Sequence, residues 1–276
     1  MKRFNIKRLA SKVAIVTGAG TRSDNVSGVG VATAKLFASH GASVLVIDID
    51  ETAAKKTVRN IANEGGKASY FVADVAEEKS CKSLVKTAVD RYGSLDILMN
   101  SVGISGPGAT PDITQESWNR VLDVDLKSMV FISKYAIPQM VRSGGGSIIN
   151  IASVDGMRAA MTKNIPYAAA KGGMISVTRA MAVHHGRENI RVNCIAPGMI
   201  YTSMVEAIDE KKRKIRRDLA PLGTEGQAED IAMAATFLAS DESRWITGVL
   251  LPVDAGLMAA GPQSLLDNII DDYVYT

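Results

Sequence analysis

Short apolar, β-branched runs alternate along the chain with longer segments in which apolar residues recur every three or four positions. The runs are residues 13–16, 44–47, 70–72, 97–99, 147–151, 190–195 and 249–253. Several contain almost no polar residue, the pattern of parallel strands covered on both faces. Between them, Val29, Thr33, Leu36 and Phe37 form one helical stripe, and Leu84, Val85, Ala88 and Val89 form another. A longer stripe runs through Trp118, Val121, Leu122, Val124, Leu126, Val130 and Phe131. This alternation predicts an α/β fold, a doubly wound parallel sheet of about seven strands with helices on both faces. No repeat or composition break divides residues 1–276, so a single domain is expected, with its core at 12–256. Residues 199–226 read as an irregular loop, and 257–276 as an unassigned tail.

Apolar residues make up 46% of the chain and charged residues 22%. These values exclude a disordered, collagen-like or disulfide-scaffold protein. A balance of 32 basic and 29 acidic residues leaves a net charge of +3, too even for nucleic acid or an anionic membrane as the main partner. The longest apolar run, 231–235, falls far short of the roughly 20 residues that span a bilayer. Residues 1–12 are basic but lack the apolar stretch of a signal peptide. Cys81 and Cys194 are too few for a disulfide framework. A cytoplasmic protein is expected. His184 and His185 have no third ligand at useful spacing, so no metal is expected.

In such a sheet, ligands bind beyond the carboxyl ends of the strands. After the first run come Thr17-Gly18-Ala19-Gly20, then Gly28-Val29-Gly30 at the head of a helix. Glycines there let backbone approach a pyrophosphate, which the helix N-terminus attracts. The other reading is an ordinary glycine-rich turn, since Ser23 and Thr33 break a strict G-x-G-x-x-G. The second run leads into Asp48. A carboxylate here accepts from both hydroxyls of an adenosine ribose and repels a 2′-phosphate, which favours NAD. Its alternative is to cap the next helix, for which Asp50 is better placed.

Tyr167 and Lys171 are four residues apart and share a helix face. An ammonium beside a phenol favours the phenolate, and a phenol so placed exchanges protons with an alcohol or carbonyl near neutral pH. Ser153 follows the run 147–151, where a hydroxyl reaches a substrate oxygen. Taken singly, Tyr167 and Lys171 are a surface pair, and Ser153 is a turn or capping residue. Together with the glycine turn and Asp48, they fall at strand ends facing one cleft.

From about residue 12 to 256 the chain resembles the classical short-chain dehydrogenases/reductases. The resemblance rests on Thr17-Gly18 with Gly28-Val29-Gly30, Asp74-Val75, Asn100-Ser101-Val102-Gly103, Ser153, Tyr167-x-x-x-Lys171, Arg191-Val192-Asn193, Pro197-Gly198 with Thr202, and Thr247-Gly248. It implies a Rossmann fold and an NAD-dependent oxidoreductase acting on a secondary alcohol or ketone. It implies Tyr167 as general acid/base, with Lys171 holding the nicotinamide ribose and easing Tyr167 deprotonation. Ser153 polarises the reacting oxygen. The resemblance places Gly18, Gly20, Gly28 and Val29 at the pyrophosphate, Asp48 and Ile49 at the ribose, and Asp74 and Val75 at the adenine. Asn100 and Gly103 lie along the cofactor, with Pro197, Gly198, Ile200 and Thr202 around the nicotinamide. A homotetramer or homodimer built on helices near 118–140 and 167–185 is also implied.

Three positions depart from the family pattern. Nine residues separate Gly18 from Gly28, more than the usual loop, and they include Arg22, Asp24 and Asn25. These either fold over the adenosine or lie in solvent, with Arg22 within reach of a phosphate. Asp125 stands where the family carries a catalytic asparagine, and its charge is expected to attract Lys171 and favour the ammonium. The alternative for Asp125 is a solvated helix carboxylate. Ser101-Val102 replaces the usual Asn-Ala beside the cofactor path.

The expected pocket wall includes Val154, Met157, Met161, Met199, Tyr201 and Met204, an adaptable apolar lining. It suits a medium-sized cyclic, aromatic or steroid-like alcohol, with 199–226 closing over it. The basic run Lys211-Lys212-Arg213-Lys214 with Arg216 and Arg217 reads as a solvated helix face, or as a docking surface for acyl carrier protein. Two rival functions are a 3-oxoacyl-carrier-protein reductase using NADPH and a non-catalytic dinucleotide sensor.

Overall fold

All seven apolar runs become strands of one parallel sheet. In the computed structural model, residues 7–159 and 162–261 are described. Met161 and the tail beyond 261 lie outside them. In chain order the strands are β1 (Val13–Thr17), β2 (Ser43–Asp48), β3 (Lys67–Val72), β4 (Ile97–Asn100), β5 (Gly146–Ile151), β6 (Ile190–Pro197), β7 (Ile200–Tyr201), β8 (Gly226–Gln227) and β9 (Leu250–Val253). The main sheet has the order β3-β2-β1-β4-β5-β6-β9, and every pairing in it is parallel. The order reverses between β1 and β4, which opens the crevice where such sheets bind ligands.

The helices are α1 (Val29–Ser39), α2 (Glu51–Asn63), α3 (Glu78–Tyr92), α4 (Gln115–Leu122), α5 (Ser128–Arg142), α6 (Ile165–His185), α7 (Glu210–Asp218) and α8 (Ala228–Ala239). Alternate strand residues face opposite layers, as a two-residue period requires. Ala14, Val16, Val44 and Val46 pack with Phe37 of α1 and Ile231 and Leu238 of α8. Ile15, Leu45, Ile47 and Leu98 pack on the other face, with Leu84 and Val85 of α3 and Ile132 and Met140 of α5. Each such fully buried side chain contributes about 1.5–3 kcal/mol. Asp50 caps α2, accepting from the Ala53 N–H at 3.0 Å. Among the described residues no helix is long and apolar enough to cross a membrane.

Two elements differ from the expectation. The long stripe at 118–131 is not one regular helix: a π-helical turn, Asp123–Lys127, joins α4 to α5 and buries Val124 and Asp125. Residues 199–226 are not irregular either. They hold the short parallel ribbon β7–β8 and the helix α7.

Candidate active site

The glycine turn is set by close approaches. Gly18 lies just past β1 with φ +62°, and a Cβ there would sit 3.2 Å from the Ser101 carbonyl. A Cβ on Gly30 would collide with the Gly18 carbonyl. Gly28 occupies the N-cap of α1 without a side-chain cap, which leaves the first N–H groups of α1 for an anion. Val29 is half-buried against the core. Gly20 answers to a different neighbour. Its N–H donates to Asp48 Oδ2 at 2.8 Å, and a Cβ there would lie 2.7 Å from the same oxygen.

Asp48 is buried at the end of β2 and caps no helix. Its Oδ1 accepts from the Asp50 N–H at 3.1 Å. The extra loop also brings Arg22 onto it: Nη2 donates to Oδ1 at 2.6 Å and Nη1 to Oδ2 at 3.3 Å. Arg22 is therefore not free in solvent, although half of its side chain is exposed. The loop is tethered to α2 by the Thr21 N–H on the Ala53 carbonyl and by an Asp24–Lys56 ion pair. At its tip, Ser23 donates to Glu206 at 3.0 Å, in the segment after β7. Ile49, next to Asp48, is exposed.

Several expected cofactor residues have partners within the protein. Asp74 accepts from the Ala76 N–H at 2.9 Å and pairs with Arg120 at 3.3 Å. Val75 is buried, and its carbonyl accepts the Cys81 thiol at 3.2 Å. The Asn100 amide donates to Asn150 at 2.8 Å, and the Asn150 amide donates to Thr178. That chain braces β4 against β5 and α6, so the Asn100 side chain has a structural task that spacing did not reveal. Val102 packs into the core beside α3 and α5. Pro197 ends β6, and a Cβ on Gly198 would press on the backbone of Asp254. The Ile200 N–H donates to the Gly198 carbonyl at 2.9 Å. Thr202 is buried. Asn193 and Thr247 join β6 to the approach of β9, through the Ile246 carbonyl and the Val192 N–H.

Lys171 is 3% exposed and reaches the carboxyl end of β5, where Nζ donates to the Ile151 carbonyl at 3.0 Å. It lies 5.3 Å from the centroid of the Tyr167 ring and 3.5 Å from Asp125 Oδ2. The π turn presents Asp125 inward, at 1% exposure, with Oδ1 accepting from the Ile104 N–H at 2.8 Å. The solvated reading of Asp125 therefore fails, and the expected attraction to Lys171 is direct. Burial pushes the Asp125 carboxyl above the usual carboxylate range, against the pull of Lys171. Burial also works to lower Lys171, but the Asp125 charge and the Tyr167 phenol outweigh it and hold the ammonium above the ordinary lysine value. Gly103 covers the pair: a Cβ there would lie 3.2 Å from Lys171 Nζ and 3.3 Å from Asp125 Oδ2.

Ser153 caps a single 3-10 turn, Val154–Gly156, by accepting from the Asp155 N–H at 3.1 Å. That turn rests on α6. A Cβ on Gly156 would lie 2.6 Å from the Lys171 carbonyl carbon, so Ser153 is held against the helix that carries Tyr167 and Lys171. The capping reading of Ser153 holds. Val154, expected in the wall, is buried, whereas Met157 and Met204 are exposed and Met199 is half-buried.

The basic run is not a uniformly solvated face. Arg213 and Arg216 turn inward and donate to Glu225 at 2.8 and 3.0 Å, and the Glu225 side chain is 4% exposed. Arg216 also donates to the Ile200 carbonyl at 2.8 Å. The Arg213 guanidinium stacks 3.8 Å from the Tyr201 ring centroid. This cluster was missed because its anion lies beyond the helix, in the turn before β8. His185 pairs with Glu188, and among the described residues no three metal-ligating side chains converge.

The donor set fits a dinucleotide. A buried carboxylate ends β2, an uncapped helix N-terminus faces the switch point, a buried ammonium sits beside a phenol, and a capping serine follows β5 on a turn packed against the same helix. The sequence profile of the family described as Enoyl-(Acyl carrier protein) reductase matches residues 24–258. The 3-oxoacyl-[acyl-carrier-protein] reductase FabG of Chlamydia muridarum is 38% identical over 250 residues, covering 90% of this chain and 98% of that protein. A cyclohexanol dehydrogenase of Acinetobacter sp. is 37% identical over 256 residues, covering 92% and 98%. A crystal structure of a Burkholderia xenovorans protein assigned to the short-chain dehydrogenases/reductases superimposes with a TM-score of 0.88 at 38% identity, covering 92% of this chain and 99% of that one.

Proposed function

The chain belongs to the short-chain dehydrogenase/reductase family of oxidoreductases, and we propose that it interconverts a secondary alcohol and its ketone with NAD(H). The substrate we propose is a medium-sized apolar molecule, cyclic, aromatic or steroid-like. The observation that carries this reading is the buried Lys171 ammonium, held by Ile151 and Asp125 within 5.3 Å of the Tyr167 ring.

When bound, the nicotinamide supplies or accepts the hydride. The chain's own groups align and polarise. Ser153 Oγ accepts from a backbone N–H, so its own hydrogen is left to donate to the substrate oxygen. The Tyr167 hydroxyl exchanges the proton at that same oxygen. Lys171 has three donors. One is spent on Ile151 and one faces Asp125, leaving the third for a ribose hydroxyl. Asp48 would take the adenosine ribose, the α1 N-terminus the pyrophosphate, Asp74 the adenine and Thr202 the carboxamide. Met157, Met199 and Met204 would line the substrate side.

A cyclic alcohol agrees with the cyclohexanol dehydrogenase likeness. A second reading, 3-oxoacyl-carrier-protein reduction with NADPH, draws support from the FabG likeness and from the guanidinium on Asp48. The inward turn of Arg213 and Arg216 weakens the docking surface it needs. Exposed Val130 and Val141 on α5 and Val183 on α6 support a homodimer or homotetramer built on those helices, and the location proposed with it is the cytoplasm.

The test is turnover across cyclic, aromatic and steroid secondary alcohols, each with NAD and NADP, alongside Tyr167→Phe. NAD-dependent oxidation that falls by about 10²–10⁴-fold in the variant is the expected result. Tight NADH binding with no turnover in either direction would favour the sensor reading.

A further inference from the structure

Asp48 is the group on which the NAD reading turns, and it already holds a ligand from its own chain. Its side chain is 1% exposed, whereas that of Arg22 is 50% exposed. Two of the four hydrogen bonds to its oxygens come from the Gly20 and Asp50 N–H groups. Those donors are backbone groups of the turn and of the start of α2, so neither depends on a side chain that could swing away. The other two come from Arg22. A planar guanidinium bridging both oxygens of a carboxylate is a strong, directional pair. A ribose diol needs those two acceptor directions.

We propose that Arg22 is an internal competitor of the cofactor ribose, and so a residue that sets cofactor choice. The proposal rests on the dinucleotide reading of the cleft given above. NAD(H) must displace Arg22 from Asp48, and this lowers its affinity by the cost of breaking the pair. A 2′-phosphate meets a different situation. With Arg22 in place, the charge of Asp48 is offset, and the half-exposed guanidinium can turn to the phosphate without leaving the site. The loop backbone gives it a fixed base for that turn, since Thr21 is bonded to Ala53 and Asp24 to Lys56. One side chain therefore works against NAD(H) and for NADP(H), opposite in sense to the carboxylate it covers.

The test is fluorescence titration of NADH and NADPH against the full chain, Arg22→Gln and Arg22→Lys. Arg22→Gln leaves Asp48 without its cation, so NADH is expected to bind about three- to tenfold tighter and NADPH weaker by at least as much. Arg22→Lys keeps the charge without the bidentate grip, and both of its affinities are expected to fall between those of the other two proteins. Weaker or unchanged NADH binding in Arg22→Gln, with both cofactors bound by the natural chain, would overturn the competitor role and leave the dehydrogenase reading standing. Failure of the natural chain to bind either cofactor would instead overturn that reading, and the competitor role with it.

Discussion

Asp125 Oδ2 lies 3.5 Å from Lys171 Nζ, with the two side chains 0% and 4% exposed. A carboxylate and an ammonium so far from water stabilise each other's charge, and removing one leaves the other uncompensated. The pair is built by two local features. A π turn presents Asp125 inward, and Gly103 leaves room above both head groups. The Tyr167 ring centroid lies 5.3 Å from the same ammonium, so the charge state of the pair reaches the proposed acid/base group.

Asp125→Asn keeps the shape and removes the charge. The amide still accepts from Ile104, so the fold is expected to survive. Without Asp125, burial acts on Lys171 with less opposition, and the ammonium gives up its proton at lower pH. The alkaline limb of the pH–rate profile is therefore expected to move to lower pH. Because the folded value of Lys171 is raised, its stabilising contribution is complete below the unfolded lysine value of about 10.4 and is lost as pH rises through the folded one. Alkaline unfolding of the variant is therefore expected to begin at lower pH. An unmoved limb would mean that the Asp125 charge does not govern Lys171.

Gly103→Ala tests the space above the pair. The backbone there accepts an alanine, but its methyl would touch both charged groups. Overpacking of this kind costs about 1–3 kcal/mol. We expect a small loss of melting temperature with a larger fall in kcat than in NADH affinity. A variant with natural turnover would show that the pair has slack.

Glu225→Gln unseats two guanidiniums at once. Arg213 and Arg216 keep partial access to water, so the loss is expected to be local, on the order of 1–2 kcal/mol and below the cost of breaking a fully buried pair. The expected outcome is faster proteolytic cleavage within 199–226 and a higher substrate KM. Arg216→Lys should reproduce it, because a lysine cannot hold Glu225 and the Ile200 carbonyl together. Unchanged cleavage in both variants would show that the ribbon holds α7 without them.

Cys81 and Cys194 are buried, and burial pushes each thiol up to about 11. Little thiolate forms at pH 8. Maleimide labelling of the native protein is expected to be slow at both sites and to reach two per chain once denaturant is added. Rapid labelling of the folded protein would show that one of them opens to solvent.

The strands were readable because central parallel strands are apolar on both faces, so 13–16, 44–47 and 147–151 stand out without any partner in view. Asp50 as the cap of α2 was readable because a cap is a local bond. The π turn at Asp123–Lys127 was not, since its one extra residue barely disturbs the apolar spacing around Val124 and Leu126. Gly20 looked like a phosphate glycine, yet its neighbour is a carboxylate 28 positions away. Arg22 has its anion 26 positions along the chain, beyond the reach of local charge patterning, and that of Arg216 lies nine positions on, past the end of its helix.

The bond from Ser23 to Glu206 ties the loop 21–26 to the segment after β7, the proposed nucleotide side of the cleft to its proposed substrate side. The loop that carries Arg22 is thus also a strut of the proposed substrate wall. Anyone redesigning this enzyme to use a different cofactor would shorten or rewrite that loop first. The change would not stay on the nucleotide side, because the range of alcohols accepted should shift with it. Cofactor engineering and substrate engineering are here one problem, and libraries that vary 21–26 should be screened on both axes at once.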